Sequence, residues 1–170
     1  MKVDATPEYV KKRALILGSG NLLFGDDGFG PATAEYIQKK CEVPNDVYVM
    51  DVGTGASRVL FELTLSEKKP KKIVILDAID LKRKPGEIFE IQIEDLPENK
   101  LSSFSSHLFP ATNLLKELRD AYGVDVSILA CQIKRIPELV KPGLSEPVKK
   151  SVPKAAKIAL RLARVGKATS

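Results

Sequence analysis

The chain has 170 residues, of which 44% are hydrophobic, 29% charged and only 6% aromatic. This balance excludes a disordered chain, and a chain of this length buries enough surface to fold as one domain, over residues 1–170, without a disulfide or metal staple. Cys41 and Cys131 lie far apart with no C-x-x-C partner, which excludes a zinc ribbon, an iron–sulfur cluster and a disulfide framework.

The first residues give no sign of export. The start MKVDATPEYVKKR carries acids and a proline where a signal peptide has its apolar stretch. The sequence also contains no apolar run that approaches the roughly 18 residues of a membrane span. We therefore expect a cytoplasmic protein with no membrane partner.

The net charge of +5 is unevenly distributed. Residues 141–170 hold eight basic residues and one acid, so the rest of the chain is slightly negative. This pattern is typical of a solvated helix face, and the alternative is a docking patch for an acidic partner. Because this segment has no aromatic residue to stack on bases, we expect no nucleic-acid partner.

The first half of the chain alternates between strand and helix patterns. Short apolar runs at 14–17, 47–50 and 73–76 predict three buried strands, and apolar residues at helical spacing predict helices at 28–40 and 56–66. This order predicts a parallel sheet.

The second half adds an edge strand and two more helices. Residues 87–93 (EIFEIQI) alternate strictly, as in a half-exposed edge strand, and 124–131 predict another strand. Helices are predicted at 108–122 and 145–165. The expected fold class is α/β: a three-layer α/β/α sandwich whose five-stranded sheet is mostly parallel, with one antiparallel edge strand. Ligands in such sheets bind beyond the carboxyl ends of the parallel strands.

The loop after the first strand reads GSGNLLFGDDGFG. Leu23 replaces the third glycine of a dinucleotide-binding fingerprint, and Asp26 and Asp27 would repel a pyrophosphate at the next helix start. The loop is therefore predicted to bind a cation. The alternative is helix capping, which alone would explain the presence of one of the two aspartates. Leu22, Leu23 and Phe24 are expected either to pack under the sheet or, if exposed, to form an apolar lip.

Two further strand ends carry candidate residues. The second strand leads into DVGTG, residues 51–55, a turn whose backbone amides are expected to be open for a peptide or carboxylate. The third strand leads into Asp77, with Asp80 three residues further on. Parallel strands place these ends at one edge of the sheet.

His107 is the only histidine of the chain. A single histidine excludes a three-histidine zinc site, and any serine or cysteine nucleophile would have to use this one imidazole as its base. Cys131 is therefore expected to be a core residue. Asp27, Asp77 and His107 remain as a set of two carboxylates and one imidazole, which suits a divalent ion such as nickel or zinc.

Four segments carry a family resemblance: LGSGNLLFGDDGFGP, DVGTG, ILDAID and SSHLFPATNLL. Together they span residues 17–115, and they resemble the signature regions of the hydrogenase maturation endopeptidases. The forms GDDGFGP and DVGT are most similar to the branch that serves deazaflavin-reducing nickel-iron hydrogenases.

The resemblance implies an endopeptidase that removes a short C-terminal extension from the large-subunit precursor of a nickel-iron hydrogenase after nickel insertion. The nickel arrives with the precursor, bound to its cysteine thiolates, and no organic cofactor is implied. Asp27, Asp77 and His107 would engage this nickel as catalytic and metal-binding residues. The residues that would hold the extension are Asp51, Gly53, Thr54 and Gly55. Val52 and Ala56 depart from the commoner D-G-G-T-x-G form.

Two alternatives stay open from the sequence. A peptidyl-tRNA hydrolase-like enzyme has a similar architecture and a G-x-G-N-like turn, but that family has a catalytic histidine soon after the turn, where this chain has Asp26 and Asp27. The other alternative is a non-catalytic module that docks on a metalloenzyme.

Overall fold

The computed structural model describes residues 4–96 and 111–164. Five strands form one sheet, and their bounds are β1 Ala14–Ser19, β2 Val47–Gly53, β3 Lys72–Ile79, β4 Ile88–Ile91 and β5 Asp125–Gln132. The four α-helices are α1 Phe29–Lys40, α2 Ala56–Leu65, α3 Thr112–Tyr122 and α4 Glu146–Arg164. Single 3-10 turns occupy Glu8–Lys11, Gly25–Gly28 and Ile93–Asp95.

The strand order is β2-β1-β3-β5-β4. The first four strands of this order pair in parallel, and β4 pairs antiparallel with β5 at the edge. The predicted α/β fold class and its antiparallel edge strand are therefore confirmed. Every residue of β1 and β3 is buried, because both strands lie inside the sheet with helices on both faces.

Two cores flank the sheet, one with α1 and α4 and the other with α2 and α3. Successive side chains of a strand point to opposite faces. In β3, Val74 and Leu76 belong to the α1/α4 core, whereas Ile73, Ile75 and Ile79 belong to the α2/α3 core. Alternation therefore places Asp77 on the α2/α3 face.

Several predicted boundaries shift. Both β1 and β3 continue past their apolar runs, to Ser19 and Ile79, because ladder hydrogen bonds need no apolar side chain. The edge strand ends early, at Ile91, since the chain turns into the 3-10 turn at Ile93–Asp95. The helix predicted at 108–122 is described from Thr112 onward, and its first residues lie outside the described ranges.

The last helix buries one apolar stripe. Val148, Val152, Ala155 and Ala159 are buried in the α1/α4 core, although Pro153 lies within the helix. Among residues 4–96 and 111–164, the search for a helix both long and apolar enough to cross a bilayer finds none.

Candidate functional site

The start of α1 lies directly against the carboxyl ends of β1 and β3. A Cβ atom at Gly30 would lie 2.2 Å from the carbonyl oxygen of Ser19 and 2.4 Å from that of Leu76. Only glycine permits this approach. The 3-10 turn at Gly25–Gly28, which carries both aspartates of the GDDG run, therefore contacts β3 at the edge where that strand reaches Asp77.

Asp26 holds together two segments that are distant in sequence. Its Oδ2 accepts hydrogen bonds from the Lys134 amide at 2.9 Å and the Ser145 hydroxyl at 2.8 Å, and its Oδ1 accepts from the Ser145 amide at 2.7 Å. The N-cap of α1 is Gly28, with no side-chain capping bond. The capping explanation is therefore wrong, because the carboxylate of Asp26 binds the segment after β5 instead.

Asp27 is held differently from its neighbour. Its side chain is buried, at 8% exposure, and Oδ2 accepts a hydrogen bond from the Asn21 amide at 3.1 Å. Gly20 makes this possible, since it has a φ of +143° and a Cβ there would lie 1.9 Å from the Asp27 carbonyl oxygen. The loop thus wraps around Asp27 and fixes it at the sheet edge.

Asp77 lies inside β3, at 2% exposure, with Oδ1 accepting from the Ala78 amide at 2.9 Å. Because Gly18 pairs with Leu76, Ser19 follows in register beside Asp77 on the same face. Ser19 is fully buried, and within the described residues its Oγ has no hydrogen-bond partner. This edge therefore gathers a hydroxyl and a carboxylate on neighbouring strands.

His107 lies outside the described residues, so the set of Asp27, Asp77 and His107 stays a prediction. In the ranges 4–96 and 111–164, no three acidic, cysteine or histidine residues are grouped closely enough to hold a metal ion. The chemistry of the two placed residues suits a divalent cation, since carboxylate oxygens are hard donors.

The DVGTG turn is built around Asp51. Its Oδ1 accepts from the Gly53 amide at 2.8 Å, and the Gly55 amide donates to the Val52 carbonyl at 2.8 Å. The expectation of open amides is therefore wrong for these two glycines. The exposed Thr54 lies beside them, and the Gly20 amide donates to the Gly53 carbonyl at 2.9 Å.

A space of about 270 Å³ opens between the first loop and this turn. It is lined by Gly20, Asn21, Leu22, Pro31, Asp51, Gly53 and Thr54. Three of the four residues predicted to hold a peptide lie at or beside this space, next to the loop that carries Asp27.

Asp80 belongs to a turn rather than to this edge. Its Oδ1 accepts from the Gln132 side chain at 3.0 Å and from the Lys82 amide at 3.1 Å. Burial raises the pKa of Asp80, but these hydrogen bonds outweigh it and hold the pKa below its ordinary value. The sequence does not reveal this arrangement, since Gln132 lies 52 residues away.

Cys131 is a core residue, as predicted. Burial raises the pKa of its thiol to about 12, and the negative charge of Asp26 adds to the effect. A nucleophilic cysteine is a thiolate, so this side chain is inert at neutral pH.

Comparisons with known proteins settle the family. A family model described as hydrogenase maturation protease matches residues 31–162. A protein of Methanocaldococcus jannaschii described as a hydrogenase maturation protease is 43% identical over 152 residues, which cover 88% of this chain and 96% of the relative. This chain belongs to the hydrogenase maturation protease family. The predicted endopeptidase class is thereby confirmed over the peptidyl-tRNA hydrolase alternative.

Other members of the family show the same likeness. The coenzyme F420 hydrogenase delta subunit of Methanothermobacter thermautotrophicus is 34% identical over 151 residues, covering 86% of this chain and 91% of that subunit. The hydrogenase maturating endopeptidase HybD of Escherichia coli superposes with a TM-score of 0.70 at 26% identity, covering 89% of this chain and 92% of its own.

Proposed function

We propose that this endopeptidase removes the short C-terminal extension of a nickel-iron hydrogenase large-subunit precursor after nickel insertion. The observation that carries the proposal is the burial of Asp27 and Asp77 at one edge of the sheet. The two residues share this edge because Gly30 lets the start of α1 lie against the ends of β1 and β3. Buried carboxylates of one sign suit the binding of a cation. The nickel that the precursor carries, as the family resemblance implies, would be such a cation.

In this proposal the nickel is part of the substrate, held by cysteine thiolates of the precursor, and no organic cofactor takes part. Asp27, Asp77 and His107 engage the nickel and so place the scissile peptide beside it. Such an ion polarises a carbonyl or a bound water, an effect worth several kcal/mol. One of the two carboxylates acts as general base.

The neighbouring turn is proposed to hold the extension. Its residues are Asp51, Gly53, Thr54 and Gly55, and the space of about 270 Å³ beside Thr54 is continuous with the loop of Asp27. The likeness to a coenzyme F420 hydrogenase subunit supports a deazaflavin-reducing hydrogenase as the source of the precursor. The partner is then a cytoplasmic protein, with neither nucleic acid nor membrane involved.

The test is to incubate the protein with nickel-loaded and nickel-free precursor and to weigh the products by mass spectrometry. We expect the wild-type protein to shorten only the nickel-loaded form. Asp27→Asn should lower the cleavage rate at least about 100-fold, because roughly 3 kcal/mol of charge-dependent positioning is lost.

Asp120→Asn is the matched control, since Asp120 is an exposed aspartate on α3, a helix that contains none of the candidate residues. It should cleave like the wild-type protein, and thermal unfolding should show that both variants are folded. Undiminished cleavage by Asp27→Asn would remove this residue from the mechanism. A wild-type protein that binds the precursor but cleaves neither form would indicate a non-catalytic docking module instead.

A further inference from the structure

Two loops at the carboxyl end of the sheet expose apolar side chains to solvent. Leu22 and Leu23 are 46% and 49% exposed, and Leu139 and Val140 are 81% and 61% exposed. We call these four residues the paired-loop surface. Single exposed apolar residues are ordinary, whereas contiguous ones mark interaction sites. Leu22 and Leu23, two residues of the predicted apolar lip, are thus exposed. Leu139 and Val140 extend this lip, which the sequence did not suggest.

Backbone hydrogen bonds join the two loops. The Lys141 amide donates to the Leu23 carbonyl at 2.8 Å, and the Gly25 amide donates to the Lys141 carbonyl at 2.9 Å. Phe24 and Lys141 form a parallel β-bridge. The parallel register of this bridge brings Val140, which precedes Lys141, next to Leu23, which precedes Phe24.

This pairing is fixed before any ligand arrives. Gly25 has a φ of +53°, and a Cβ there would lie 2.8 Å from Cδ of Pro137, so the loops approach closely. Asp26 binds Lys134 and Ser145 on either side of the exposed segment. A surface ordered in advance binds its ligand at a lower entropic cost.

The paired-loop surface has a positive border. Lys134, Arg135 and Lys141 are exposed, and none of them forms an ion pair within residues 4–96 and 111–164. Glu138 is the one acid in the segment between them. An apolar ligand with a negative end is therefore complementary to this border.

The surface is continuous with the candidate site. Leu22 follows directly on Asn21, whose amide donates to the Asp27 carboxylate. Leu22 also lines the space shared with Asp51 and Thr54. A peptide whose scissile bond lies near Asp27 thus reaches the paired-loop surface within a few residues.

We propose that the paired-loop surface binds the C-terminal extension of the precursor as an extended peptide. Its apolar side chains pack on Leu23 and Val140, and its terminal carboxylate is attracted to Lys134, Arg135 and Lys141. This inference rests on the proposed function. The extension fits better than the folded subunit, because a stable protein interface buries about 800 Å² per partner, whereas a short extended segment suits a narrow strip of paired backbone.

The test compares the double variant L139S/V140S with the control F61S/L65S, which removes two exposed apolar side chains from α2. With nickel-loaded precursor, we expect L139S/V140S to raise KM about tenfold and to leave kcat within twofold. The control should leave both constants unchanged. Cleavage by the wild-type protein with an unchanged KM for L139S/V140S would overturn the inference and leave the proposed function standing.

A binding measurement keeps the two proposals separable. A fluorescent synthetic peptide of the extension sequence, with a free C-terminus, is titrated into the wild-type protein and both double variants. We expect L139S/V140S to weaken binding about tenfold, and amidation of the peptide C-terminus to weaken binding to the wild-type protein. Equal binding by all three proteins would overturn the inference, as would an equal loss of affinity for the mature subunit that lacks the extension. Selective loss of peptide binding without any precursor cleavage would support the surface and contradict the proposed function.

Discussion

Charge is buried at both ends of the sheet, but in different ways. At the amino end, the ammonium group of Lys72 donates to Asp125 Oδ2 at 2.9 Å and to Ser127 Oγ at 2.7 Å, so this cation is matched within the sheet. At the carboxyl end, three acids of the same sign are each more than nine-tenths buried, namely Asp26, Asp27 and Asp77.

This difference separates structural charge from functional charge. A buried ion pair satisfies its own members, and breaking it chiefly costs stability. Burying three carboxyl groups at one edge costs desolvation free energy, an arrangement that is typical of functional sites. The carboxyl end is therefore the place where a substrate cation has most to gain, and the amino end is the place where variants should affect folding alone.

The amino end gives the largest expected effect on stability. Lys72→Met removes the partner of Asp125 and should lower the free energy of unfolding by about 3 kcal/mol. Lys71→Met is the matched control, since Lys71 is exposed and adjacent, and it should change stability by less than about 0.5 kcal/mol. Urea unfolding measures both. Cleavage per folded molecule should be unchanged. Reduced cleavage by folded Lys72→Met would contradict the conclusion that the amino end of the sheet affects stability alone.

The carboxyl end contains one structural acid, and Asp26→Asn sharpens this point. An amide group would turn an N–H donor toward backbone amides that need an acceptor, so we expect a loss of about 2 kcal/mol. Trypsin should also cleave faster at Lys134 or Arg135, because the segment is released. An unchanged unfolding midpoint and digestion pattern would contradict the role assigned to Asp26.

Cys131 gives the smallest expected effect. With a pKa of about 12 against an ordinary 9.0, roughly one thiol in 10⁴ is ionised at pH 8. Iodoacetamide at this pH should therefore modify the partly exposed Cys41 and leave Cys131 unmodified until urea is added. Rapid modification of Cys131 in the folded protein at pH 8, with loss of cleavage, would argue for a cysteine nucleophile.

The positions of the strands, and the alternation of strands and helices along the chain, could be predicted from the sequence because apolar periodicity reports burial directly. The different roles of Asp26, which binds a distant segment, and Asp27, which lies at the candidate site, could not be predicted from the sequence. The two residues are identical neighbours, and what distinguishes them is hydrogen bonding to Lys134 and Ser145, 108 and 119 residues further along the chain. The segment that bears Leu139 lacks a periodic pattern, so no sequence signal placed it beside Leu23.

The bond between Asp26 and Ser145 also has a temporal consequence. The two residues are separated by 119 positions, so a chain still being translated cannot join the first loop to the last until Ser145 has left the ribosome. Domains fold largely as units during synthesis. An incomplete chain therefore cannot yet fix the first loop against residues 134–145, so the paired-loop surface is completed only as synthesis nears its end.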